Sequence, residues 1–199
     1  MKTAKMIALF LSLMTVVFFS CKKDNTEYLL VNQRPEPIAQ RTSMIILNEN
    51  PETAESQDIF PGTKNFNVMA FSFTPNFSGV LSSVSINIAP VVASNSNNTL
   101  GWQNIETLKL VNIGAEYSTQ VGNPVSVVSA YGELNNLYFS VKKNTRCSFV
   151  IIVDVSSFAV PFSVFQLSLA GINATDENGT VVSCNGGTTG SIMYIRKSY

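Results

Sequence analysis

The chain has 199 residues, 45% of them hydrophobic and 10% aromatic, with 13 Lys and Arg balanced by 13 Asp and Glu and no histidine. The missing histidine removes the commonest general base and the commonest metal ligand, which excludes Ser-His-Asp and Cys-His sites, and three cysteines give zinc too few ligands. Basic residues cluster only at Lys142, Lys143 and Arg146, far short of the concentrated basic face that nucleic acid requires, so no nucleic-acid partner, cofactor or metal is expected.

Lys2 and Lys5 open the chain, and residues 6–19 then run for 14 positions without a charge, a proline or a glycine. Fourteen falls short of the roughly 20 apolar residues that cross a hydrocarbon core, so residues 1–20 read as a cleaved signal peptide. Ser20 supplies the small residue before Cys21, and the polar stretch Lys22-Lys23-Asp24-Asn25 follows. This junction resembles the lipoprotein signals of Bacteroidota. The resemblance implies acylation of Cys21, anchoring in the cell outer membrane, and display on the cell surface.

Residues 21–40 read as a lipidated tether, in which Asn25, Glu27, Asn32, Gln33, Pro35 and Pro37 break any period and the prolines stiffen the chain. Tyr28-Leu29-Leu30-Val31 is its one apolar patch, and it could instead pair as an edge strand. Removing residues 1–20 leaves 179 of the 199, enough for one domain with a real core over residues 41–199.

Glu49, Glu52, Glu55 and Asp58 recur every three residues, and Pro51 suits a first helical turn. Like charges on neighbouring helical positions repel, so a solvated loop is the better reading of this run. From there on, β-branched and aromatic runs are bounded by Gly, Pro, Asn and Ser clusters. The runs at 43–47, 65–74, 80–88, 107–112, 125–129, 137–141, 148–155, 164–172, 180–183 and 191–196 predict strands. Met69, Phe71 and Phe73 share one face, as do Val84, Ile86 and Ile88, and Phe165, Leu167 and Leu169. Period two with polar alternates marks sheets with one buried face, and the absence of crossover helices excludes a doubly wound parallel sheet.

Phe149-Val150-Ile151-Ile152-Val153 is apolar on both faces and predicts a central strand covered on both sides, or an interior strand whose outer face meets another element. Asp176-Glu177-Asn178-Gly179 predicts a hairpin turn, since Asn and Gly tolerate positive φ, while calcium would want more oxygen ligands than Asp176 and Glu177 offer.

From Gly62-Thr63 through Asn67-Val68-Met69-Ala70-Phe71-Ser72-Phe73 to Leu167-Ser168-Leu169-Ala170-Gly171-Ile172, the chain resembles immunoglobulin-like β-sandwich modules of microbial surface and secreted proteins. The expected fold class is therefore all-β, an immunoglobulin-like antiparallel β-sandwich on an irregular N-terminal tether. Such modules serve as spacers, adhesion units or scaffold parts and have no shared active-site motif. The expected function is a structural or adhesion contact without catalysis, with the membrane reached through the lipid anchor and a surface protein or glycan as partner. A glycan-binding accessory lipoprotein for polysaccharide capture is the alternative, and so is a fimbrial-type subunit, although those usually carry two sandwich domains.

For the glycan alternative, the candidate contacts are Trp102, after the Asn95, Asn97, Asn98, Thr99 loop, with Tyr117, Tyr131 and Tyr138. The carboxyl groups in the domain are Glu106, Glu116, Glu133, Asp154, Asp176 and Glu177, of which Asp154 alone sits in a strongly apolar strand. A partly buried Asp at a strand end more often bonds loop amides than performs acid catalysis. Cys147 and Cys184 start one predicted strand and end another, so they could form a disulfide in an oxidising envelope or remain free as small buried hydrophobes.

Overall fold

A computed structural model of the chain describes residues 42–48, 56–91, 101–114 and 117–197, all within a compact unit spanning Thr42–Tyr199. The signal peptide, Cys21, the tether, Glu49, Glu52, Glu55, the 95–99 loop and Glu116 lie outside the described residues.

The described residues form β1 (Ile45–Asn48), β2 (Gln57–Ile59), β3 (Phe66–Pro75), β4 (Gly79–Pro90), β5 (Ile105–Ile113), β6 (Ser118–Ser126), β7 (Tyr131–Val141), β8 (Cys147–Val155), β9 (Val164–Asp176), β10 (Val181–Asn185) and β11 (Thr189–Ile195), with a 3-10 turn at Gly101–Asn104. One sheet has the order β1-β3-β8-β5-β6 and the other β2-β11-β9-β4-β7, with β10 also on β9. The chain is thus an all-β sandwich. Its pairings are antiparallel except for β2, which runs parallel to β11.

The expected faces are the buried ones. Phe71, Phe73, Val84, Ile86, Ile88, Phe165 and Leu167 are all at most 1% exposed, because alternate side chains of each strand point between the two sheets. Phe149 of β8 joins them. Its ring lies 5.6 Å from Phe71 and 5.6 Å from Phe73 in its own sheet, and 5.2 Å, edge-on, from Phe139 of β7 in the other. Aromatic burial on this scale is a large part of core energetics, so this cluster is a strong link between the sheets within the one core that both line.

β8 is central, flanked by β3 and β5, as its double-faced apolarity requires. Its outward residues Val150 and Ile152 are half-buried, with no described strand or helix packed over them. The Asp176 turn closes β9 on β10 as predicted. Asp176 Oδ1 accepts the backbone N–H groups of Asn178 and Thr180, each at 2.9 Å, and Gly179 takes φ +80°. Asp176 Oδ2 accepts the Ser43 hydroxyl at 2.8 Å, so the carboxylate is spent on the turn and on the chain leading into β1. These bonds, that from Ser43 foremost, hold its pKa below the ordinary carboxylate value.

β9 gives one edge to two successive strands. β11 pairs with its first half and β10 with its second. At the crossover Gly186 donates to the Ala170 carbonyl at 2.9 Å, and a Cβ there would stand 1.6 Å from the Leu169 carbonyl oxygen. Only glycine fits so close an approach.

Two expectations need correction, and one left open between two readings is decided. The strand predicted at 125–129 lies earlier, at β6, whose polar run with Pro124 looks like a loop; proline is tolerated because β6 is an edge. The strand predicted at 137–141 begins six residues sooner, as β7. Cys147 and Cys184 are free. Cys147 is buried on β8 in one sheet and Cys184 sits on β10 in the other, and each thiol instead faces a carbonyl of its own strand or the turn before it, Asn185 or Thr145. Burial raises the pKa of both thiols.

Candidate functional site

One end of the sandwich gathers the starts of β3, β5, β7 and β9 and the ends of β4, β8 and β11. Two loops close it, residues 60–65 between β2 and β3 and residues 156–163 between β8 and β9. They are bonded to each other, Gly62 N–H to the Ser156 carbonyl at 3.1 Å and Val155 N–H to the Thr63 carbonyl at 2.8 Å. Asn104 braces the second loop from beneath. Fully buried, it accepts Val160 N–H at its side-chain oxygen (2.9 Å) and Ser156 N–H at its carbonyl (2.9 Å). A buried polar side chain so satisfied fixes loop geometry at little cost.

Asp154, near the end of β8, ties the first loop down. Its Oδ1 accepts the Asn65 backbone N–H at 2.8 Å and Lys109 Nζ at 2.9 Å, and its Oδ2 accepts the Thr107 hydroxyl at 2.9 Å. Lys109 Nζ also lies 2.8 Å from Oδ2 and donates to the Asn65 side-chain oxygen at 2.7 Å. Burial alone would raise the Asp154 pKa, but the bonds from Lys109, Asn65 and Thr107 and the Lys109 charge outweigh it and lower it to about 2. At neutral pH this carboxylate is ionised with both oxygens bonded, which leaves it without a proton to give. It therefore bonds a loop amide, as expected of an Asp at a strand end. Beside it Lys64 pairs with Glu106, and that bond, before any other cause, raises the Lys64 pKa.

A cleft of about 480 Å³ opens next to this network. β1 pairs with β3 only at Ser72 to Pro75, so among the described residues the first half of β3 has no ladder partner on that side. The register shift between Asn67 and Met69 inserts Val68 as a bulge. The cleft sits against this half of β3, lined by Asn65, Phe66, Asn67, Val68, Met69 and Ala70, with Val150 of β8 and Gln57 of β2. Val68 and Met69 are buried, Phe66, Ala70, Val150 and Gln57 half-buried, and Asn65 and Asn67 exposed. Three carboxamides and one phenyl ring thus surround an apolar floor, and among the described residues no charged side chain lines the cleft.

The aromatic residues expected to contact a glycan do not form one surface. Trp102, in the 3-10 turn, is half-buried and packed on the core. Tyr131 and Tyr138 are 50% and 78% exposed but stand seven residues apart along β7, about 20 Å at the rise of a strand. Tyr117 is exposed at the β5–β6 turn, at the end remote from Trp102 and the cleft. Tyr131, at the start of β7, shares its end of the sandwich with three exposed phenylalanines on the two closing loops, Phe60, Phe158 and Phe162. Sequence gave no sign of these, since an outward phenylalanine in a short apolar loop has the letters of a core residue. Glu133, on β7, lies in the other sheet from Asp154 and Glu106, and among the described residues no three Cys, Asp or Glu side chains gather into a metal-binding group.

No family model matches the chain, and no curated protein does. Among solved structures, a GH31 CBM32-2 module bound to GalNAc is 14% identical over 64% of this chain and 64% of its own, with a TM-score of 0.27. A cohesin module of a Clostridium perfringens family 33 glycoside hydrolase is 8% identical over 78% of this chain and 98% of its own (TM-score 0.32). A family 123 glycoside hydrolase of the same organism, described for glycolipid glycan hydrolysis, is 12% identical over 77% of this chain and 27% of its own (TM-score 0.34). At these values no residue role transfers to this chain.

Proposed function

We propose that the domain is a non-catalytic module that captures neutral glycans in the cleft beside β3, held at the outer face of a bacterial outer membrane by acylated Cys21. The observation that carries this reading is the lining of the cleft. Carboxamides both donate and accept, as sugar hydroxyls do, and the Phe66 ring with its apolar neighbours suits the C–H face of a pyranose. Among the described residues of the lining a charged ligand would find no counter-charge.

Replacing Cys21 by Ala is expected to release the protein from membranes, and an unacylated mature terminus at any other residue would overturn the anchor.

Affinity electrophoresis of residues 42–199, which supply the whole described core, in gels containing neutral polysaccharides tests the binding. Retardation is expected for at least one polymer. Gln57→Ala and Asn67→Ala are each expected to weaken it about fivefold, the value of one hydrogen bond near 1 kcal/mol, with the fold intact by circular dichroism. Full retention in both variants, or no retardation by any polymer, would remove the cleft as a glycan site.

A further inference from the structure

Phe158 is 91% exposed, Phe162 53% and Phe60 49%, all on the loops that close the cleft end of the sandwich. Such exposure contributes nothing to the core and costs solubility, and clustered exposed apolar residues mark contact surfaces. The display is also rigid. Phe158 N–H bonds to Ser156 Oγ at 3.2 Å, Ala159 N–H to the Ser156 carbonyl at 3.0 Å, and Phe162 N–H to the Ile195 carbonyl at 2.8 Å. Asn104 holds Val160 between them. An aromatic held in place loses little entropy when a partner arrives.

Two features identify the partner. Around the tip Lys64 is paired with Glu106 and Arg196 with Asp58, which leaves Lys197 as the one described charge beside the phenylalanines outside an ion pair, too little net charge to select a charged ligand. The loop that carries Phe60 runs on into Asn65 and Phe66, so the tip is continuous with the wall of the cleft. Phenyl rings lack a hydroxyl and can meet only the C–H face of a sugar.

We infer that Phe60, Phe158 and Phe162 form a stacking platform that continues the cleft, so that the ligand is a long neutral polysaccharide lying along its apolar face, not a single terminal sugar. This rests on the glycan reading above. The cleft orients one stretch of the chain through its carboxamides, and the platform holds further residues with little demand on sequence.

The test compares affinity for one neutral polymer with that for its short oligosaccharides, using the domain and its Phe60→Ser/Phe158→Ser/Phe162→Ser variant. The variant is expected to lose about tenfold or more in polymer affinity while oligosaccharide affinity stays unchanged, with thermal unfolding at the same temperature because the rings are exposed. Unchanged polymer affinity, or an equal loss on polymer and oligosaccharide, overturns the platform. If the phenylalanine variant abolishes all binding while Gln57→Ala and Asn67→Ala bind normally, the cleft reading fails instead. Binding of the unsubstituted domain to phosphatidylcholine vesicles that the variant loses would assign the tip to lipid and overturn the inference.

Discussion

The Asp154 carboxylate accepts the backbone N–H of Asn65 at 2.8 Å, so a side chain of β8 holds the residue before β3 in the left-handed region, at φ 55°. Asparagine is among the few residues that tolerate that region, and its side chain then returns to Lys109. The wall of the cleft is fixed by this clamp.

Stability should therefore fall in acid over a defined window. The folded Asp154 pKa is about 2 against an ordinary 3.8. A depressed pKa contributes stability that is complete above the unfolded value and lost as pH drops through the folded one. The unfolding free energy from urea titrations should decline between about pH 4 and pH 2, by on the order of 1–2 kcal/mol after allowance for solvent screening. Asp154→Asn should flatten that part of the profile. An unchanged profile in the variant would show that the clamp is not ionic.

Trp102→Ala should lower stability by about 2–3 kcal/mol, less than a fully buried ring would, because Trp102 packs on the core from a half-buried position. Polysaccharide retention by the folded variant should match the parent protein. Loss of retention without loss of stability would return Trp102 to the binding surface.

Phe149→Ala should be far more costly, about 3–5 kcal/mol, since that ring contacts aromatic partners in both sheets. Denaturant unfolding checks the value, and a cost under about 1 kcal/mol would mean that the cluster is not a strong link between the sheets.

Both cysteines of the domain should react with a thiol reagent in denaturant without prior reduction, since both are free. In the native protein Cys184 should react well before Cys147, which is 8% exposed. Mass spectrometry of the alkylated domain counts the modified thiols, and none after unfolding would indicate a disulfide.

The core was the readable part of the sequence. In β3, β4 and β9 the alternation of large apolar residues with Ser, Asn and Gln states which face is buried, and the uninterrupted run in β8 announces a central strand. β6 was displaced in the reading because an edge strand needs little apolar surface, and β2 was missed because a three-residue strand is defined by its parallel partner, not by its own letters. The cleft was hidden for a related reason. Gln57, Asn65 and Asn67 look like turn chemistry until the fold gathers them along the first half of β3. Trp102, the conspicuous aromatic, is half spent on packing, while Phe158 is exposed by a loop brace that depends on the distant Asn104.

The short β1–β3 ladder has a mechanical consequence. If the domain is fastened below Thr42 and its cargo is held at the opposite tip, tension runs along the strand axis. The four residue pairs from Ile45↔Pro75 to Asn48↔Ser72 are then loaded in shear, all together, and do not open one after another like a zipper. Resistance to a pull in this geometry is governed by the rate of forced rupture and not by equilibrium stability. β1 would be the first element to slip, and its release would lengthen the leash while the Phe149 cluster and the cleft beyond it stayed folded.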